Sequence, residues 1–119
     1  MKAYTNLEQS KKLAEILPLE SADMYYTLID QGLYLEVKQG LKPSKDDIPC
    51  WSLAALLDVI PKHIKDYNVL RIDISENDFA IWYDEIGYGV NNDLPNITME
   101  SAVDACVAMI EKLNELKML

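Results

Sequence analysis

The amino-acid sequence predicts an α+β domain, with three helices packed mainly on one face of a small antiparallel sheet of about four strands in two hairpins. Apolar residues at helical spacing occur near both ends of the chain, and a nearly continuous apolar segment lies in the middle. Between these segments, stretches rich in aromatic and β-branched residues are separated by short polar turns. The order α-β-β-α-β-β-α is typical of helices gathered on one side of an antiparallel sheet.

The first and last helices are predicted from their terminal signals and apolar stripes. The first covers residues 5–18, where Thr5 and Glu8 have the spacing of a capping box and Pro18 ends the helix. The last covers residues 99–117. Its apolar residues recur in alternating steps of four and three along one stripe: Ala102, Cys106, Met109, Leu113 and Leu116.

The central helix is predicted within "IPCWSLAALLDVIPK", over about residues 53–60. Ser52 is the natural N-cap residue, because its hydroxyl can accept a hydrogen bond from a free backbone N–H of the first turn. Trp51 and Leu56 then occupy the two positions of a hydrophobic staple, which fixes how the chain enters the helix. Asp58 is the only polar residue in this helix, so we expect it to be buried nearly all round.

Two hairpins are predicted between the helices. "DMYYTLI" and "LYLEVK" are joined by "DQG", and a polar loop over residues 39–49 follows. The second hairpin covers residues 69–84, where strict alternation puts Leu70, Ile72 and Ile74 on one face of its first strand. We expect that face to be buried.

Cys50 precedes a helix, and a thiol near a helix N-terminus can be activated by the helix dipole. The only histidine, His63, lies beyond the other end of that helix, about 12–15 Å away. A nucleophile and its base must approach to about 3 Å. We therefore predict that Cys50 is structural and unreactive, and we assign no catalytic residue. Cys50, His63 and Cys106 also lack the paired spacing of a metal site, and no cofactor-binding motif is present in the sequence.

The charge balance disfavours several functions. Twenty acidic residues and eleven basic ones give a formal net charge of −9. Direct binding to nucleic acid or to anionic membranes relies on clustered basic residues and is not expected. The sequence starts without an apolar signal segment, "LAALL" is too short to cross a bilayer, and the two cysteines fit a reducing compartment. We expect one soluble cytoplasmic domain over residues 1–119.

The second hairpin carries two further groups of candidate residues. The carboxylates of Asp73, Glu76, Asp78 and Asp84 could act in acid–base chemistry, although a solvated outer face is the simpler interpretation for an acidic chain. Trp82 faces away from the predicted core side of its strand. Trp82 is then exposed to solvent, at the seam of a homodimer, or covered by the 39–49 loop. The two main interpretations are cover by the protein's own chain and a partner surface.

The segment "EIGYGVNNDLPN", residues 85–96, is longer than most connections. One interpretation is a connector that packs Tyr88 beneath itself. The other is a recognition loop with Tyr88 as its anchor, because the flanking glycines permit unusual backbone conformations. The candidate binding residues are then Tyr88, Asn91 and Asn92 in the loop, Asp84 and Glu85 at its base, and Trp82 nearby.

Three blocks, "YTNLEQSKKLAEILPLESADM", "IPCWSLAALLDVIP" and "SAVDACVAMIEKLNELKML", together resemble a family of short uncharacterised proteins from bacteria of the Bacteroides group. The members of that family are often associated with prophages or other mobile elements. The resemblance implies a bacterial origin and no mechanism.

The sequence therefore favours a protein-binding or accessory module over an enzyme. The alternatives are a small enzyme using Cys50 or the hairpin carboxylates, and an acidic nucleic-acid mimic that inhibits a DNA-binding protein. Net charge is the sole support for the mimic.

Overall fold

The structure is a computed structural model that describes residues 2–29, 34–39 and 47–119. Over these residues the chain forms α-helices and antiparallel sheets, which confirms the α+β class. The α-helices are α1 (Leu7–Ala14), α2 (Leu53–Val59) and α3 (Ala102–Glu115), and a short 3-10 helix spans Leu19–Ser21. The strands are β1 (Met24–Ile29), β2 (Tyr34–Gln39), β3 (Ile48–Cys50), β4 (His63–Ile64), β5 (Asn68–Ile74), β6 (Phe79–Glu85), β7 (Gly89–Val90) and β8 (Ile97–Met99).

Both predicted hairpins are present, each in its own sheet. The first sheet has the order β2-β1-β3, so the end of the predicted 39–49 loop is a strand that pairs with β1. The second sheet has the order β4-β5-β6-β7, and β8 also pairs with β6. The predicted "DQG" turn and residues 40–46 of the predicted loop lie outside the described residues.

The first helix is shorter than predicted, and its capping box is displaced by one residue. Asn6 is the N-cap, its side chain accepts from the backbone N–H of Gln9, and the Gln9 side chain accepts from the backbone N–H of Asn6. The predicted pair of Thr5 and Glu8 does not form the box. Thr5 is instead buried, and its hydroxyl oxygen accepts from the backbone N–H of Trp51 at 3.2 Å. A neighbouring pair with the same spacing supplies the cap, since asparagine is as good an N-cap residue as threonine.

The position and the N-cap of the central helix agree with the prediction, but the expectation that the helix is buried nearly all round is wrong. Within α2 only Ala55 and Leu56 are buried, and Ala54 is exposed, because the rest of the core packs against one side of the helix. Ser52 is the N-cap, and its hydroxyl accepts from the backbone N–H of Ala55 at 3.2 Å. Trp51 and Leu56, the two staple positions, are both fully buried in the core. The last helix begins later than predicted, with Ser101 as its N-cap, because Ile97–Met99 pair with β6 as a strand.

The core lies between the second sheet and the helices. On β6, Phe79, Ile81 and Tyr83 are buried on one face, and α3 packs against β6 and β8 while α2 packs against α3. The buried stripe of α3 consists of Val103, Ala105, Cys106, Val107, Met109, Ile110 and Leu113. Helix α1 packs against β3, which joins the first sheet to this arrangement. Over the described residues, no helix is long and apolar enough to cross a membrane.

Candidate functional site

The connection after β6 is a tight hairpin rather than the long loop that the sequence predicts. The backbone N–H of Tyr88 donates to the carbonyl oxygen of Glu85 at 2.9 Å, which closes a four-residue β-turn. Gly87, the third residue of this turn, has φ of 87°. A type II turn requires a positive φ at its third residue, and glycine adopts a positive φ without a steric cost. Strand β7 follows at once and pairs with the end of β6, so the turn is held on both sides.

The turn presents large apolar side chains to solvent. Tyr88 is 84% exposed and Ile86 is 60% exposed, so the interpretation in which Tyr88 packs beneath its own loop is wrong. The backbone N–H of Ile86 donates to the carbonyl oxygen of Tyr67 at 2.8 Å, which ties this turn to the turn between β4 and β5. Tyr67 and Val90 are exposed at the same end of the sheet. We call these four residues, Tyr67, Ile86, Tyr88 and Val90, the turn-end surface.

Sequence reasoning selected Tyr88 and missed Tyr67 and Ile86. The signal for Ile86 was its place beside Gly87, since an apolar residue within a two-glycine turn has little of its own chain to pack against. Tyr67 had no such signal. Its position follows from the pairing of β5 with β6, which sets Asn68 opposite Glu85 and so brings the two turns together.

Asn91 has a structural role in the described contacts. Its side-chain N–H donates to Oδ1 of Asn68 at 2.9 Å, and its Oδ1 accepts from the backbone N–H of Asp93 at 2.9 Å. Asn68 is 2% exposed and donates in turn to the carbonyl oxygen of Ile64 at 3.0 Å. Asn91 therefore satisfies a buried amide and holds the end of β7 against β5. Asn92, the other candidate amide of the loop, is exposed.

Asp84 and Trp82 form a hydrogen-bonded group on the outer face of the second sheet. The indole N–H of Trp82 donates to Oδ1 of Asp84 at 2.8 Å, and Arg71 Nε donates to the other carboxylate oxygen at 3.3 Å. Trp82 is half-buried, as is Glu85 at the base of the turn. Residues 40–46 of the 39–49 loop lie outside the described residues, so the predicted contact of this loop with Trp82 stays a prediction.

Cys50 lies in a buried polar pocket beside the chain start. Its Sγ contacts the hydroxyl and the carbonyl oxygen of Thr5, both at 3.5 Å, and the Thr5 hydroxyl is 2.7 Å from that of Ser10. Burial raises the pKa of the Cys50 thiol, which outweighs the lowering by its hydrogen bonds to Thr5 and Ser10. A raised pKa disfavours the thiolate, so the environment of Cys50 is that of a structural cysteine rather than a nucleophile.

Cys106, Asp73 and Asp84 are further candidates for chemistry. Burial raises the pKa of the Cys106 thiol to about 12. Asp84 on β6 lies opposite Val69 on β5, and Asp73 lies four residues after Val69 on β5. The carboxylates of Asp73 and Asp84 are therefore about 13 Å apart along the sheet. Within the described part of the chain, no three His, Cys, Asp or Glu side chains are grouped as metal ligands would be.

Comparisons with known proteins return no match: no family model, no curated protein and no solved structure is significantly similar to this chain. The resemblance to the Bacteroides family therefore stays a prediction.

Proposed function

We propose that this protein is a cytoplasmic protein-binding module and that the turn-end surface is its binding surface. The observation that carries the proposal is the exposure of Tyr88, at 84%, on a turn whose backbone is fixed at both ends. Tyrosine on a rigid turn supplies a large contact area at a low cost in conformational entropy, and aromatic residues are enriched among those that dominate binding energy. The role as an accessory factor of a mobile element or its host rests on the family resemblance.

The surroundings of the surface favour a protein partner over the two alternatives. A small enzyme using Cys50 is disfavoured because that thiol is buried and its pKa is raised. A nucleic-acid mimic needs its carboxylates in a phosphate-like row, whereas Arg71 lies between Asp73 and Asp84 on the outer face of the sheet. Several exposed apolar side chains at one end of a sheet are a surface that a groove on another protein can bind.

Affinity capture from a bacterial extract tests the proposal with three immobilised proteins: the wild type, Tyr88→Ala and Leu19→Ala. Leu19 is a matched control, because it is also an exposed apolar residue but lies in the 3-10 helix before the first sheet. We expect a protein that is retained by the wild type and Leu19→Ala and lost from Tyr88→Ala. With the purified partner, Tyr88→Ala should weaken binding by about 2 kcal/mol, or roughly 30-fold.

Equal retention by all three proteins would show that the turn-end surface is not the binding surface. A partner that is displaced by added DNA, and whose retention falls with salt but not with Tyr88→Ala, would favour the nucleic-acid mimic instead.

A further inference from the structure

The second half of β5 is an open edge of the second sheet. Strand β4 pairs only with the start of β5, and the last contact is the N–H of Leu70, which donates to the carbonyl oxygen of Lys62 at 2.9 Å. Alternate residues of a strand point their N–H and C=O groups to the same side. The backbone N–H and C=O groups of Ile72 and Ile74 therefore point to the same side of β5 as those of Leu70, which is the side away from β6. Among the described residues, no strand pairs with them on that side.

The side chains on this edge are apolar and exposed. Ile72 lies opposite Ile81 and Ile74 lies opposite Phe79, so both share the core face of the sheet. Even so, Ile72 is 40% exposed and Ile74 is 75% exposed, and the expectation that this face is wholly buried is wrong. The reason is that α3 packs over β6 and β8 and leaves the end of β5 uncovered.

A groove lies beside this edge, between the end of β5 and the starts of α2 and α3. Its volume is about 450 Å³, and Leu53, Ile74, Phe79 and Ala102 supply its apolar lining. The charged groups around the groove are mainly acidic: Glu76, Asp78 and Glu100, against Lys2. An open strand edge next to an apolar groove is the arrangement in which proteins accept an extended segment as an added strand.

A second copy of the chain fits this edge poorly. Pairing Ile72 with Ile72 of the second copy would set that copy's Ile74 opposite Leu70, where Lys62 already lies. Pairing Ile72 with Ile74 of the second copy avoids Lys62 but sets Asp73 directly opposite the second Asp73, and like charges at such positions are destabilising. Any further displacement leaves a single residue pair, because β5 ends at Ile74. Inward or edge charges of this kind are a common protection against self-association.

Asp73 instead indicates what the added strand should carry. It lies between Ile72 and Ile74 on the other face of β5, and among the described residues it makes no ion pair. A basic residue opposite Asp73 would place opposite charges at the short separation of a non-hydrogen-bonded pair. The flanking residues of the added strand would then lie opposite Ile72 and Ile74, on the side of the apolar groove.

We propose that the Ile72–Ile74 edge binds an extended segment of a partner protein in which a basic residue is flanked by two apolar ones. This site is separate from the turn-end surface, which lies at the other end of β5.

Peptide titration of ¹⁵N-labelled protein, followed by NMR, tests the proposal. The probes are two capped peptides, Thr-Val-Lys-Val-Thr and Thr-Val-Glu-Val-Thr. We expect the lysine peptide to bind about threefold to tenfold more tightly, because the cross-strand charge pair changes from attractive to repulsive. The largest amide shifts should occur at Ile72 and Ile74. In Asp73→Lys the preference between the two peptides should reverse.

Two variants separate backbone pairing from simple apolar contact. Ile74→Pro removes an N–H that points to solvent, a position where an edge strand tolerates proline, and should abolish binding of the lysine peptide. Ile74→Val keeps the N–H and an apolar side chain, so its affinity should stay within about twofold of the wild type. Tyr88→Ala should bind the peptide unchanged, which keeps this test independent of the turn-end surface.

Three results would overturn the proposal: amide shifts centred away from Ile72 and Ile74 or absent altogether, equal affinity for both peptides in the wild type, and self-association of the free protein through β5.

Discussion

Trp51 and Tyr88 are aromatic residues with similar neighbours in the sequence, yet one is buried and the other is exposed. Trp51 precedes a helix and Tyr88 lies within a glycine turn, so each is next to a residue that shapes the backbone. Trp51 is fully buried, whereas Tyr88 is 84% exposed. The difference in burial comes from whether another segment of the chain packs over the side chain. The segment around Thr5 runs alongside Trp51, while the described elements leave Tyr88 uncovered. Local sequence therefore determines the backbone shape here, and distant segments determine burial.

The polar groups around Trp51, at the entrance to helix α2, have hydrogen-bond partners. The backbone N–H of Thr5 donates to the carbonyl oxygen of Trp51 at 2.9 Å, and the Trp51 indole N–H donates to the Ser21 hydroxyl at 2.9 Å. Over the described residues, no buried side-chain nitrogen or oxygen lacks a hydrogen-bond partner. Complete satisfaction is a property of structural interiors. The entrance around Trp51 therefore contributes stability, in contrast to the turn-end surface.

The largest effect should come from Trp51→Ala. The change removes a fully buried indole from the core and leaves the Ser21 hydroxyl without its donor. We expect a loss of about 3–5 kcal/mol in the free energy of unfolding, measured by urea denaturation. Trp51→Phe, which keeps most of the ring, should cost clearly less. A loss below about 1 kcal/mol for Trp51→Ala would contradict the burial of this side chain.

Alkaline pH should weaken the core through the thiol of Cys106. Burial raises the pKa of this thiol from 9.0 to about 12, so folding favours its protonated form. The stabilisation is fully present below pH 9 and is lost as the pH rises towards 12. By pH 11 the loss of unfolding free energy from this group should reach roughly 2–3 kcal/mol. The measurement is the difference between urea melts at pH 9 and at pH 11.

The matched variant for this effect is Cys106→Ala. Other groups also lose stabilisation at high pH, since burial raises the pKa of Tyr26 to about 12 and raises that of Tyr83 as well. The difference between the wild type and Cys106→Ala isolates the thiol. If the two proteins lose stability in parallel between pH 9 and pH 11, Cys106 does not titrate as its burial predicts.

Asn91→Ala should separate the structural part of the 85–96 segment from its exposed part. It leaves Oδ1 of the buried Asn68 without the hydrogen bond that Asn91 donates. We expect a loss of about 1–3 kcal/mol, the usual cost of a buried polar group without its partner. Asn92→Ala, one residue further along and exposed, should change stability by less than about 0.5 kcal/mol. Equal losses would assign the effect to the loop backbone.

The features predicted correctly from sequence are those that depend on nearby residues. Ser52 as N-cap and the pairing of β5 with β6 both follow from local spacing and alternation. The exposure of Ile72 and Ile74 could not be predicted this way, because strict alternation indicates two faces and does not say how far a helix extends over one of them. The place of Tyr67 in the turn-end surface could not be predicted either, because only the strand register brings Tyr67 next to Ile86.

The smallest effect on stability should come from Tyr88→Ala. The side chain is 84% exposed, and its hydroxyl makes no hydrogen bond to the described residues, so little is lost from the folded state. We expect a change of at most about 0.5 kcal/mol in the free energy of unfolding. A larger loss, with partner affinity unchanged, would mean that Tyr88 packs against the protein and that the turn-end surface is not a binding surface.

Gly87→Ala is the control that shows what holds this turn in place. No atom lies within 4 Å of an added Cβ, but φ of 87° is strained for any residue with a side chain. We expect a loss of about 1–2 kcal/mol from the backbone alone, which is larger than the loss from Tyr88→Ala. Because the turn then depends on its glycine rather than on its tyrosine, Tyr88 remains available for contact with a partner.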